Sequence, residues 1–179
     1  MDAAYLHIVV NHFPIILCVV GTVAALLGLA FQRRGLWVYA AASITIAGLL
    51  IYPVSLTGHE AEDIVEKRWY ASKEAIHEHE EAGELAMWAT LAAGAIAGYA
   101  WFRAARPRHR EDRFPSGLGT LLALAGLVAT GTLGYTAWRS GFIVHKAASP
   151  PGTVPGVEAQ PAGPPPAPSP VTPRAPAAP

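Results

Sequence analysis

The chain has 179 residues, 52% of them apolar, with thirteen basic side chains balancing thirteen acidic ones and a single cysteine. The zero balance points to no partner by itself and no nucleic acid is expected, while one cysteine excludes an intramolecular disulfide. No Cys-x-x-Cys-His run, phosphate-binding glycine loop or nucleophile elbow is present, which excludes covalent c-type haem attachment and leaves stand-alone catalysis without support.

Four apolar stretches follow one another: Phe13 to Phe31, Leu36 to Leu56, Ala82 to Phe102 and Leu118 to Trp138, none with an internal Lys or Arg. Each is near the ~20 residues that a helix needs to cross ~30 Å of hydrocarbon. They are apolar all round rather than striped at a period of ~3.6 residues. The expected fold is therefore all-α: an integral membrane four-helix up-down bundle in residues 1–146, with spans at about 5–32, 36–57, 80–104 and 117–140.

In the first span, His7 and His12 stand at the start, Cys18 reads as a small core residue, and Gly21 and Gly28 repeat at heptad spacing. Pro14 either displaces the Val10 carbonyl inside a helix or simply opens the helix near its first turn. Residues 1–12 lack a basic run ahead of the apolar stretch, so no removable signal peptide is expected. Arg33 and Arg34 fill the first turn. Toward the end of the second span, Pro53 would displace the Leu49 carbonyl among Ser55, Thr57 and His59, and a kinked polar half can open a pocket beneath the histidines.

The connection Gly58 to Glu81 sets Lys67, Arg68 and Lys73 against Glu60, Glu62, Asp63, Glu66, Glu74, Glu78, Glu80 and Glu81. Val65, Trp69 and Ile76 share a helical face interrupted by Ser72. They suit either a surface-lying connection or an amphipathic interfacial helix, with Asp63 and Lys67 at i, i+4. Within it, Glu74, His77, Glu81 and Glu84 share one face of a helix and His79 points away. The third span carries Gly94 and Gly98, and the turn after it holds Arg103, Arg106, Arg108, Arg110 and Arg113. The fourth span carries Gly119 and Gly126 and ends at Arg139, His145 and Lys146. Small residues at such spacings let helices approach closely in lipid. By the positive-inside rule both arginine-rich turns face the cytoplasm and both termini are extracytoplasmic. Tyr5, Trp69, Tyr70 and Trp138 would line the outer interface, and Trp37, Tyr39, Tyr99 and Trp101 the inner one. Residues 147–179, with twelve prolines, read as a disordered Pro/Ala-rich extracytoplasmic tail.

Six of the seven histidines thus gather at one membrane face, with His109 alone on the other. Such a layer suits haem, a metal or a proton-responsive surface. For haem b the preferred axial pair is His12 and His79, one imidazole from each of two facing helices, with His59 in reserve, His7 nearby and Arg139 placed to neutralise propionates. For iron or zinc the candidates are His77, Glu74, Glu81, Glu84 and His145. Glu74 and His77 have the spacing of half a di-iron site, and the second half is missing. A site without any cofactor is the remaining alternative.

The run Leu6-His7-Ile-Val-Val-Asn-His12-Phe13-Pro14-Ile15, with Ala47-Gly48-Leu49, Thr57-Gly58, and His79 followed by Gly83, resembles a family of predicted bacterial membrane proteins, domain of unknown function two-two-three-one. The likeness covers about residues 5–140, and the His-Phe-Pro-Ile element is its most specific part. It implies a four-helix domain in the bacterial inner membrane, no settled activity, and motif histidines at His7, His12 and His79. The functional expectation is a haem- or metal-binding subunit in electron transfer, served by a membrane or periplasmic redox partner. The alternatives are a non-catalytic scaffold or accessory subunit of a larger membrane complex, or a histidine-gated proton or ion conductor; the lipid bilayer and a homo- or hetero-oligomeric assembly are the further partners expected.

Overall fold

The computed structural model describes residues 3–67, 71–106 and 116–145, the side chains of Val144 and His145 excepted. Within them the chain forms α1 (Ala3–Val10), α2 (His12–Phe31), α3 (Arg34–Val65), α4 (Lys73–Ala105) and α5 (Ser116–His145). The first two make one span, so four helical units are long and apolar enough to cross a membrane. The proline-rich tail and His109 lie outside the described residues.

Pro14 explains the seam between α1 and α2. It has no N–H to give the Val10 carbonyl, and the helical assignment lapses at Asn11. The chain keeps helical dihedrals there and Asn11 N still donates to His7 O at 3.0 Å, so the span continues through the seam. Pro53 leaves no such mark, and α3 runs through it unbroken.

Helix ends are closed locally. Gln32, left-handed at φ 51°, stops α2, and its side-chain amide donates to Leu29 O at 2.7 Å. At the same end the Arg34 guanidinium donates to Ala104 O, satisfying a last-turn carbonyl of α4. Ser72 caps the start of α4 by accepting from Ala75 N at 3.4 Å. The acidic connection expected between the second and third spans is therefore mostly helix. α3 continues to Val65 and α4 begins at Lys73, and Lys73 Nζ meets Glu66 Oε1 at 2.7 Å across the gap. With 32 and 33 residues, these helices outreach a ~30 Å hydrocarbon layer at ~1.5 Å per residue.

Each span packs on the next, and α2 with α5 closes the ring, which sets α2 diagonally across from α4 and α3 across from α5. Small residues permit this. A Cβ on Gly48 would lie 2.8 Å from Gly94 Cα, so α3 and α4 touch backbone to backbone. Gly21 receives Ile44, and Gly126 receives Thr22, whose hydroxyl shares a 3.0 Å hydrogen bond with that of Thr130. Trp37 departs from the interfacial position expected of it. It is buried, wedged over Gly28 and Gly119 where three spans meet, because two missing side chains leave a slot the size of an indole. Tyr39, Tyr99 and Trp101 are exposed, as are Tyr5 and Trp138.

Candidate imidazole site

Helical register decides which histidines turn inward. On the first span, positions 7, 11, 14, 18, 21, 25 and 28 form one face, and from Pro14 onward its residues are buried. His7 and Asn11 extend that face toward the end of the bundle. His12 belongs to the opposite face, with the exposed Ile16, Val19 and Val23, and its Nδ1 donates to Ile8 O of its own span at 2.6 Å.

On α4 the inner face contains Ala82, Ala86, Thr90, Ala93, Ala97 and Ala100, and His79 heads it. His77, two residues before His79, lies more than half a turn around the helix from it and is exposed.

His7 rests on Gly58, where an added Cβ would come 3.2 Å from its Cε1. Its Nδ1 lies 3.2 Å from both Val54 O and Thr57 Oγ1. The Thr57 hydroxyl donates to the same carbonyl at 2.8 Å. His79 Nδ1 reaches Thr136 O on α5 at 3.1 Å. Thr136 also donates its hydroxyl to Ala82 O on α4 at 2.8 Å, so one residue ties the histidine's helix to its neighbour twice. Carbonyl oxygens only accept, hence Nδ1 carries the proton in both imidazoles and Nε2 holds a free lone pair. The two rings belong to diagonally facing spans, at the same end of the bundle.

Among the described residues, two buried side-chain oxygens find no hydrogen-bond partner, Asn11 Oδ1 and Thr90 Oγ1. Asn11 lies one turn below His7 on the same face. Thr90 is eleven residues along α4 from His79, about 16 Å deeper at ~1.5 Å per residue.

The other anticipated residues are placed apart from this pair. His59 is exposed, its Nδ1 donating to Ser55 O at 2.9 Å, and its Nε2 stands 4.0 Å from Glu80 Oε1. His77 contacts Glu80 Oε2 at 3.7 Å and Glu81 Oε1 at 3.4 Å. Glu74, Glu81 and Glu84 are exposed on the outer side of α4. His145 closes α5 and its side chain lies outside the description. Among the described residues, no three His, Cys, Asp or Glu side chains converge on a common point that would hold a metal ion. Arg139 is already engaged. It pairs with Glu78 and lies near the rings of Tyr135, Trp138 and Phe142 at 6.0, 5.8 and 5.8 Å from their centroids.

No family model, curated protein or solved structure matches this chain.

Proposed function

We propose that the chain is a haem- or metal-binding subunit of the bacterial inner membrane acting in electron transfer, with His7 and His79 as the ligating imidazoles. The observation that carries this is the pair of Nδ1 hydrogen bonds to Val54 O and Thr136 O. A backbone carbonyl on Nδ1 fixes the tautomer and ring orientation that leave Nε2 to bind a metal. Bundle proteins build such centres from side chains on facing helices.

The residues fit an iron centre in part. Two imidazoles suffice as axial ligands for haem iron, and the surrounding small apolar side chains provide the dry environment that tunes its potential. When bound, such iron takes up and releases one electron, while the protein orients the imidazoles and excludes water. Arg139 is paired with Glu78 and would meet a propionate either through its remaining N–H groups or by releasing that partner.

Orientation belongs to the same proposal. Arg34 lies at the end opposite the imidazoles, with Arg33 beside it. The positive-inside rule then puts both termini, the Pro/Ala-rich tail and the imidazole end outside the cytoplasm. We also propose membership of the family whose opening motif the chain resembles.

The test is the absorption spectrum and metal content of the purified protein. A Soret band or stoichiometric metal that disappears in a His7→Ala, His79→Ala double variant supports the reading. Absence of both overturns it, and co-purification of a partner that ignores these substitutions would favour the scaffold instead.

A further inference from the structure

Asn11 is a partly buried residue whose side-chain oxygen has the unmet hydrogen-bonding capacity of a binding residue. Its Oδ1 is enclosed and without a donor. A buried acceptor left unpaired is costly, and native structures retain few. Asn11 stands at i+4 from His7, and helical side chains lean toward the N-terminus, so its amide tilts toward the turn that carries the imidazole. Two donor atoms at i and i+4 on one helix face form the chelating pair that helical zinc sites use. Across the bundle axis His79 supplies a third donor atom from α4, its Nδ1 held by Thr136.

We infer that His7 Nε2, Asn11 Oδ1 and His79 Nε2 form a three-point site for a divalent first-row transition-metal ion at the imidazole end of the bundle. This rests on the proposal that His7 and His79 bind a metal centre, and it names the class of that centre. The three atoms proposed as ligands, two imidazole Nε2 and one amide Oδ1, are neutral electron-pair donors, which suits a cation. Imidazole nitrogen with an amide oxygen matches borderline ions such as zinc, cobalt, nickel or ferrous iron. Three protein ligands leave a position open for water or a small exogenous ligand. The amide oxygen explains why a site can exist where no three His, Cys, Asp or Glu side chains meet. The small residues between the spans also leave less need for separation around an ion than around a macrocycle.

The experiment uses the full chain in lipid nanodiscs, stripped of metal and titrated with Co²⁺, whose visible bands report its ligands, and then with Zn²⁺ in competition. One Co²⁺ per chain is expected, lost in His7→Ala and in His79→Ala. Asn11→Leu should weaken binding by about 10- to 100-fold, as loss of a supporting ligand does, and shift the cobalt bands. Asn11→Asp should retain binding. In metal-free protein Asn11→Leu should instead raise the thermal midpoint, because an unpaired buried oxygen is removed. Opposite signs on affinity and stability are what a merely structural asparagine would not give. Should Asn11→Leu fail to fold, Asn11→Ala takes its place in the same titration. Unchanged affinity and bands without the amide overturn the three-point site and leave the two-imidazole reading intact. Haem uptake with no ion binding does the same, and uptake of neither overturns both.

Discussion

A single methyl group at Gly58 would press against the His7 ring at 3.2 Å from Cε1. An imidazole pinned by two Nδ1 partners has little freedom to retreat. Gly58→Ala should therefore move the ring by a few tenths of an ångström and reduce metal or haem affinity, with little change in stability. Gly58→Leu should expel the ring altogether. The His7 imidazole ¹⁵N shifts, which report whether Nδ1 still carries the proton, check both outcomes, and wild-type shifts in Gly58→Leu would refute the packing argument. His12→Ala should leave the same shifts unchanged. That His7 and not His12 lies on the inner face of the first span was legible in the sequence, although proximity to the apolar span pointed to His12. His7, Gly21 and Gly28 repeat at exact heptads, whereas His12 keeps register with the bulky, exposed Val19 and Val23. Small residues mark the face that meets another helix, and that face carries the inward-turned histidine. The Thr136 carbonyl was not legible, because a backbone oxygen leaves no mark in the residue pattern and its reach to His79 depends on how α4 and α5 are aligned.

Helix pairs are held by a different balance at each level. Where α3 crosses α4, Gly48 and Gly94 are in backbone contact, and any side chain there must push the spans apart. Gly48→Val is expected to destabilise by at least the ~1–3 kcal/mol typical of overpacking, read as a lower thermal midpoint in detergent, whereas Gly98→Ala, with Thr45 no nearer than 3.8 Å, should be close to neutral. Equal effects would mean that the crossing is not tight. Beyond the apolar layer, charge takes over. Lys73 donates to Glu66 and holds its carboxyl below the usual carboxylate range, with the lysine's charge adding to the effect. A lowered folded-state value means that the bridge contributes above the ordinary carboxylate pKa and is lost as pH falls through the lowered one. Both groups are fully exposed, so the effect is local. Amide exchange at Glu66 and the first turn of α4 should rise on acidification through that window. Lys73→Met should remove the pH dependence, and persistence of it would assign the effect to other carboxylates. Composition made the four apolar segments easy to see, yet it placed helix ends near the apolar boundary. α3 and α4 run on because a polar, charged segment remains a good helix when it has a partner to pack against, here through buried Ala61, Ala75 and Ile76.

At the scale of the whole molecule, the imidazole end and the arginine end are chemically unlike. One end carries His7, His79 and the acid-rich extensions of α3 and α4, and the other carries Arg33, Arg34, Arg103 and Arg106. That asymmetry, rather than net charge, orients a helical membrane protein, since basic residues in short connections are retained on the cytoplasmic side. The orientation proposed from it decides which compartment the proposed centre would exchange electrons or ions with. Cys18 is fully buried, so it should contribute little background to thiol labelling, and Cys18→Ala provides a clean starting chain. In that chain Lys67→Cys, in the turn after α3, and Ser116→Cys, at the start of α5, report opposite ends. In intact bacterial cells a membrane-impermeant maleimide should label Lys67→Cys and spare Ser116→Cys until the cytoplasmic membrane is opened. The reverse pattern would place the imidazoles in the cytoplasm and redirect any redox partner there. Labelling of both before the membrane is opened would contradict a spanning bundle, because two ends of helices this long cannot share one face while the apolar middle crosses the bilayer.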